Sequence, residues 1–179
     1  MAFLTLHSHR LLSSGGLRQG RRRFLASLIA LSVALGGAER LIAQDSPEYQ
    51  IKAVFLYNFA QFVSWPEEAF NGKEDPFVIG VIGKDPFGSS LDETVRNERI
   101  NGRRMEVRRY RSVEEVKGCQ ILFISASEQP RLFQILDALE GRPTLTVGDT
   151  ENFARNGGMI RFLSERNKIR FRINLQAAQ

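Results

Sequence analysis

Three groups of residues are of types that do chemistry. Gly80, Gly83 and Gly88 surround the end of an apolar run, where a glycine-rich loop could cradle phosphate. Their spacing is not the Gly-x-Gly-x-x-Gly of a dinucleotide fold, and no Gly-Lys-Ser/Thr follows, so a tight turn is the stronger reading. Asp149 and Glu151 are two carboxylates close enough in sequence for acid–base work. Asp149 as the N-cap of a short helix through Phe153 and Ala154 accounts for the same residue and is preferred. Arg103, Arg104, Arg108, Arg109 and Arg111 form a basic run, but Glu98, Glu106, Glu114 and Glu115 lie near it. It reads as a solvated mixed-charge face rather than a phosphate surface.

The inventory for covalent or metal chemistry is nearly empty. Cys119 is the one cysteine, so no internal disulfide can form, and its place before a buried run suits a small hydrophobe. His7 and His9 are the only histidines, and both fall in a segment expected to be removed. The remaining chain then has no imidazole to activate a Ser or Cys nucleophile or to hold zinc. We expect no catalytic residues, no metal and no cofactor.

The formal charge of +5 hints at nucleic acid or membrane until it is divided along the chain. Six of the 25 basic residues but one of the 20 acidic residues fall in residues 1–43, leaving 19 of each in the remainder. The body is neutral, and no nucleic-acid partner is expected. In the front segment Arg21, Arg22 and Arg23 precede an apolar run from Phe24 to Leu35, then small residues Gly36, Gly37 and Ala38, with a second small exit at Ala43. That order reads as a cleavable export signal over residues 1–43, general secretory or twin-arginine. The run is shorter than the ~20 residues a membrane span requires.

One stretch must organise the domain: Glu48 to Pro66, EYQIKAVFLYNFAQFVSWP. Ile51, Val54, Phe55, Phe59, Phe62 and Val63 recur at helical spacing and predict the core face, with Gln50, Lys52, Asn58, Gln61 and Ser64 as a wet edge. Ser46 is the expected N-cap, Pro47 suits the first turn, and Pro66 ends the helix by pushing Trp65 out of helical geometry. This helix is more apolar than one sheet face should cover. Tyr57, Phe62, Trp65 and Pro66 are therefore the candidate partner-binding residues, with core packing as the rival reading.

Buried strands are predicted at residues 77–82, 120–125 and 144–147, since each is apolar without alternation. Residues 104–110 alternate as a strand near a sheet edge. Helices are expected over 89–97, 113–116 and 129–140, the last with Leu132, Phe133, Ile135, Leu136 and Leu139 inward. Residues 159–163 and 169–173 read as a closing hairpin. The alternation predicts a three-layer α/β fold with a mostly parallel sheet flanked by helices and a C-terminal β-hairpin.

Several blocks together are more specific than any single motif: KAVFLYNFAQFVSWP (Lys52 to Pro66), VIGVIGKDPFG (Val78 to Gly88), CQILFIS (Cys119 to Ser125), LTVGD (Leu145 to Asp149) and FARNGGMIRF followed by KIRFRINLQAA. In this order and spacing they resemble the YfiR family of exported proteins. The resemblance implies a periplasmic, non-catalytic, dimeric regulator that binds and represses a membrane diguanylate cyclase of the YfiN type. Repression lowers cyclic di-GMP and biofilm matrix, and an outer-membrane lipoprotein relieves it. Known members carry redox-responsive disulfides, for which Cys119 has no intrachain mate. The family also continues into a further C-terminal helix, which residues 44–179 are expected to lack, leaving an apolar groove. The alternative is a periplasmic small-molecule-binding accessory module, with the loops at Lys84-Asp85 and Asp149 as its site.

Overall fold

The chain divides into Met1–Ile42 and Ala43–Gln179, and the computed structural model describes residues 46–166 and 168–178. The proposed export signal lies outside the described residues. Within them the order is α1 (Pro47–Phe62), β1 (Phe77–Ile82), α2 (Ser90–Val95), β2 (Arg99–Ile100), β3 (Arg103–Tyr110), β4 (Ile121–Ile124), α3 (Leu132–Ala138), β5 (Leu145–Gly148), β6 (Ile160–Glu165) and β7 (Lys168–Ile173). The seven strands form one sheet in the order β2-β3-β1-β4-β5-β6-β7. Strands β3, β1, β4, β5 and β6 run parallel, while β2 and β7 pair antiparallel at the two edges. The mostly parallel α/β sheet and the closing hairpin agree with the pattern read from the sequence.

Every residue of β1, β4 and β5 is buried, because helices and loops cover both faces. Alternate residues feed two cores. Phe77, Ile79 and Val81 of β1 join Phe123 of β4 beneath α1 and α2, with Leu56, Leu91 and Val95. Val78 and Ile82 join Leu122 and Ile124 on the other face, with Leu132, Ile135 and Leu139 around α3. Between these layers Gln120 satisfies buried backbone: its side-chain oxygen accepts from the Val78 N–H at 2.7 Å and its amide donates to the Ala69 carbonyl. Phe153 seals the second core over Gly148, where an added Cβ would stand 2.6 Å from the ring.

The structure corrects several local expectations. The helix expected over 129–140 is short: residues 126–131 form a 3-10 turn around Pro130, and α3 begins only at Leu132. Phe133, expected inward, is 69% exposed. Residues 113–115 are likewise a 3-10 turn, in which the Glu115 carboxylate accepts from the Arg111 N–H. Residues 151–157 are turns rather than a helix, so Asp149 caps nothing there.

The largest correction concerns α1. Its end comes at Phe62, since Val63 is already extended at ψ 133°, before Pro66 can act. Its buried face carries Lys52, Ala53, Leu56, Phe59 and Ala60. Ile51, Val54 and Phe62, expected in the core, are 46%, 49% and 81% exposed, while Lys52, expected wet, is 2% exposed. The two alanines let the helix approach the sheet closely, and a paired lysine completes that face. Leu56→Ala should cost ~2–5 kcal/mol, the range for emptying a packed core site, and Ile51→Ala less than ~1 kcal/mol. Urea unfolding of the two variants checks the rotation of α1, and equal losses would contradict it.

Candidate functional site

Two regions bring chemistry-bearing or unpartnered residues together. The first lies where the start of α1 meets the carboxyl end of β5 and the body of β6. Lys52 Nζ stands 2.6 Å from Asp149 Oδ2 and 2.6 Å from Glu48 Oε1 one turn earlier. The Tyr49 hydroxyl donates to Asp149 at 2.8 Å, and the Ser164 hydroxyl donates to Glu48 at 2.7 Å. The Lys52 ammonium also lies 4.3 Å from the centre of the Tyr49 ring, in cation–π range. Beside the cluster is an open pocket of about 400 Å³.

The electrostatics follow from this saturation. Hydrogen bonds from Lys52 and Ser164 hold the Glu48 carboxyl below its ordinary range. Burial, then the bond to Asp149, pushes the Tyr49 phenol far up, so it remains a donor. Each group is occupied by another group of the same cluster, leaving no activated nucleophile. The arrangement ties α1 to β5 and β6. The sequence singles out Asp149 but sets its partner, Lys52, on the expected wet edge of the helix.

The loop after β1 is closed in the same way. The Lys84 N–H donates to the Ser127 hydroxyl, and the Lys84 carbonyl accepts from Ser125. Asp85 accepts from Arg109 at 2.9 Å, and Asp92 takes the other side of the same guanidinium. Gly83 adopts φ +90°, and a Cβ there would meet Glu128, so a tight turn against the next strand's loop explains this glycine. The basic run reads as a mixed-charge surface, with Glu106 as expected and Asp85 and Asp92 as partners not expected. Glu106 serves Arg104 and Arg108, Arg103 bonds the Gly72 and Asp75 carbonyls over the Phe70 ring, and Asp85 and Asp92 hold Arg109. Cys119 packs in the second core, and burial pushes its thiol up to about 12, far from a reactive thiolate.

The second region is the outer side of α1. Ile51, Val54, Phe55 and Phe62 form an apolar stripe at helical spacing, with Phe55 half-buried. Of the four predicted partner-binding residues, Phe62 alone presents a whole apolar side chain. Tyr57 is half-buried and donates to Glu98 at 2.8 Å. Trp65 is also half-buried, with its indole edge-on to Phe77 at 5.1 Å and its N–H donated to the Ala60 carbonyl. Pro66 is exposed beside it. Elsewhere, a groove of about 680 Å³ runs between α3 and the turn at residues 175–177, lined by Phe133, Leu136, Met159 and Ala177 among others.

A family profile described as YfiR/HmsC-like matches residues 49–179, from the first turn of α1 through β7. The chain belongs to the YfiR/HmsC-like family. No curated protein matches it. Among the described residues of this YfiR/HmsC-like domain, no group of His, Cys, Asp and Glu could hold a metal ion. No helix among them is long and apolar enough to cross a membrane.

Removing Asp149 should leave Lys52 buried with only the half-exposed Glu48. Asp149→Ala is expected to cost about 3 kcal/mol, the lower end for an uncompensated buried charge. Chemical denaturation measures it, and a loss below ~1 kcal/mol would mean the pair does not hold α1.

Proposed function

We propose that this chain is an exported, non-catalytic regulator that binds the periplasmic domain of a membrane diguanylate cyclase of the YfiN type. Binding represses the cyclase and lowers cyclic di-GMP. The observation that carries the reading is the apolar stripe on the outer side of α1, ending at Phe62 with 81% of its surface in water. A side chain of that size left outside a well-filled core has the character of an interface anchor. Membership of the YfiR/HmsC-like family supports the regulatory role and the periplasmic address. The saturated Lys52 cluster supports a binding protein over an enzyme.

In this reading Phe62 is the central contact, with Tyr57, Trp65 and Pro66 forming the rim. An outer-membrane lipoprotein competes for the regulator, and the active form is a homodimer. A small-molecule-binding accessory role is the second reading, favoured by the open pocket beside Asp149.

The binding test uses the purified periplasmic domain of a YfiN-type cyclase as probe. Phe62→Ser should weaken binding roughly tenfold or more while leaving the melting temperature unchanged. Trp65→Ala should lower both, because its indole rests on Phe77. Undiminished binding by the Phe62 variant would remove α1 from the interface.

A further inference from the structure

The hairpin of β6 and β7 has two unlike faces. In an antiparallel pair, directly opposed residues share a face. Phe162 and Phe171 are opposed, and both rings pack on α1: Phe171 lies 5.9 Å from Phe55 and 5.5 Å from Phe59 between ring centres. Ile169, Phe171 and Ile173 therefore lie on the α1 side. The alternate residues point the other way, and their opposed pairs are Arg161 with Arg172, Leu163 with Arg170, and Glu165 with Lys168.

That second face is cationic and poorly neutralised. Arg170 reaches Glu165 at 3.7 Å, whereas Arg161, Arg172 and Lys168 have no ion-pair partner among the described residues. Arg161 Nε is buried and makes no hydrogen bond. Among the described residues no strand lies beyond β7: it is the edge of the sheet, bonded to β6 alone, and its outward backbone groups have no described neighbour to pair with. The edge thus offers a row of backbone donors and acceptors, flanked by Phe171 and Ile173 on one face and by Arg170, Arg172 and Lys168 on the other. Phe171 and Ile173 are 43% and 46% exposed.

We propose that β7 is a docking edge for an extended segment of a partner protein whose residues alternate between apolar and acidic. Such a segment adds an eighth strand. Its backbone completes the ladder, its apolar side chains extend the surface of Phe171 and Ile173, and its carboxylates meet the arginines on the opposite face. Charge decides between this occupant and a second copy. Antiparallel pairing of β7 with itself would set Lys168, Arg170 and Arg172 of one copy on the same face as those of the other, and like charges across a ladder are destabilising. The same charges that keep copies apart attract an acidic strand. The site is separate from the Phe62 end of α1 and does not depend on which partner binds there.

The probe is a labelled peptide of alternating valine and glutamate, long enough to span β7, about 20 Å. Its control is an isomer of the same composition with the glutamates contiguous. Titrated against the full chain by fluorescence anisotropy, the alternating peptide should bind at least roughly tenfold more tightly than the isomer. Its binding should slow hydrogen exchange at alternate amides of residues 168–173. The double variant Arg170→Glu, Arg172→Glu should lose the peptide and bind an alternating valine–lysine peptide instead. Arg170→Gln, Arg172→Gln is the milder pair if the reversal disturbs folding, and it should weaken the acidic peptide alone. Equal binding of the two isomers, or unchanged exchange at β7, would overturn the proposal. So would slowing of the same amides by self-association in the absence of peptide, which would give the edge to a second copy.

Discussion

The rotation of α1 about its own axis depends on one buried ion pair. A helix that packs on a sheet can turn either of two apolar stripes inward, and α1 has two. Ile51, Val54 and Phe62 make one, with Phe55 at its border; Ala53, Leu56, Phe59 and Ala60 make the other. The second includes the direction of Lys52, which pattern alone would assign to water. Asp149 at the end of β5 and Glu48 on the helix itself make burial of Lys52 possible. Buried pairs are weak sources of net stability, because desolvation cancels much of the attraction. Their strength is selectivity: with the wrong stripe inward, Lys52 would leave Asp149 without its cation. The consequence at the surface is that Ile51, Val54 and Phe62 face out.

The sheet explains where open space remains. The strand order reverses between β1 and β4, and ligands in doubly wound sheets occupy the crevice at that point. Here the crevice is closed by Lys84 against Ser125 and Ser127 and by Arg109 between Asp85 and Asp92. The pocket beside Asp149 lies further along the same carboxyl edge, walled by groups that already satisfy one another. What the molecule offers freely is surface: the outer stripe of α1 and the edge of β7. Both are consistent with the proposed role of binding other proteins.

The parts legible in the sequence were those with a strong local cause. Unbroken apolar runs marked β1, β4 and β5, because only strands covered on both faces tolerate them. The polar turn at residues 164–168, between the runs at 159–163 and 169–173, marks the closing hairpin. Less legible were elements decided by contact at a distance. The helix over 129–140 was shortened by its own proline, and Phe133 then turned outward. Asp149 was visible as a residue in need of a role, but helix capping is local and could be read, whereas its pairing with Lys52 spans the domain. Of the four partner-surface candidates, the aromatic surplus that singled them out survives mainly at Phe62, since Trp65 and Tyr57 each spend one side on the fold.

The proposed regulatory role of the exposed stripe on α1 has a direct readout in the cell. It is tested most directly by cytoplasmic cyclic di-GMP in the source cell, with the gene deleted and then restored as the natural chain or as an Ile51→Ser, Val54→Ser, Phe62→Ser variant. The account predicts a rise on deletion, reversed by the natural chain and not by a variant present at the same level. A variant that restores the low level as well as the natural chain, or a deletion that changes nothing, would contradict it.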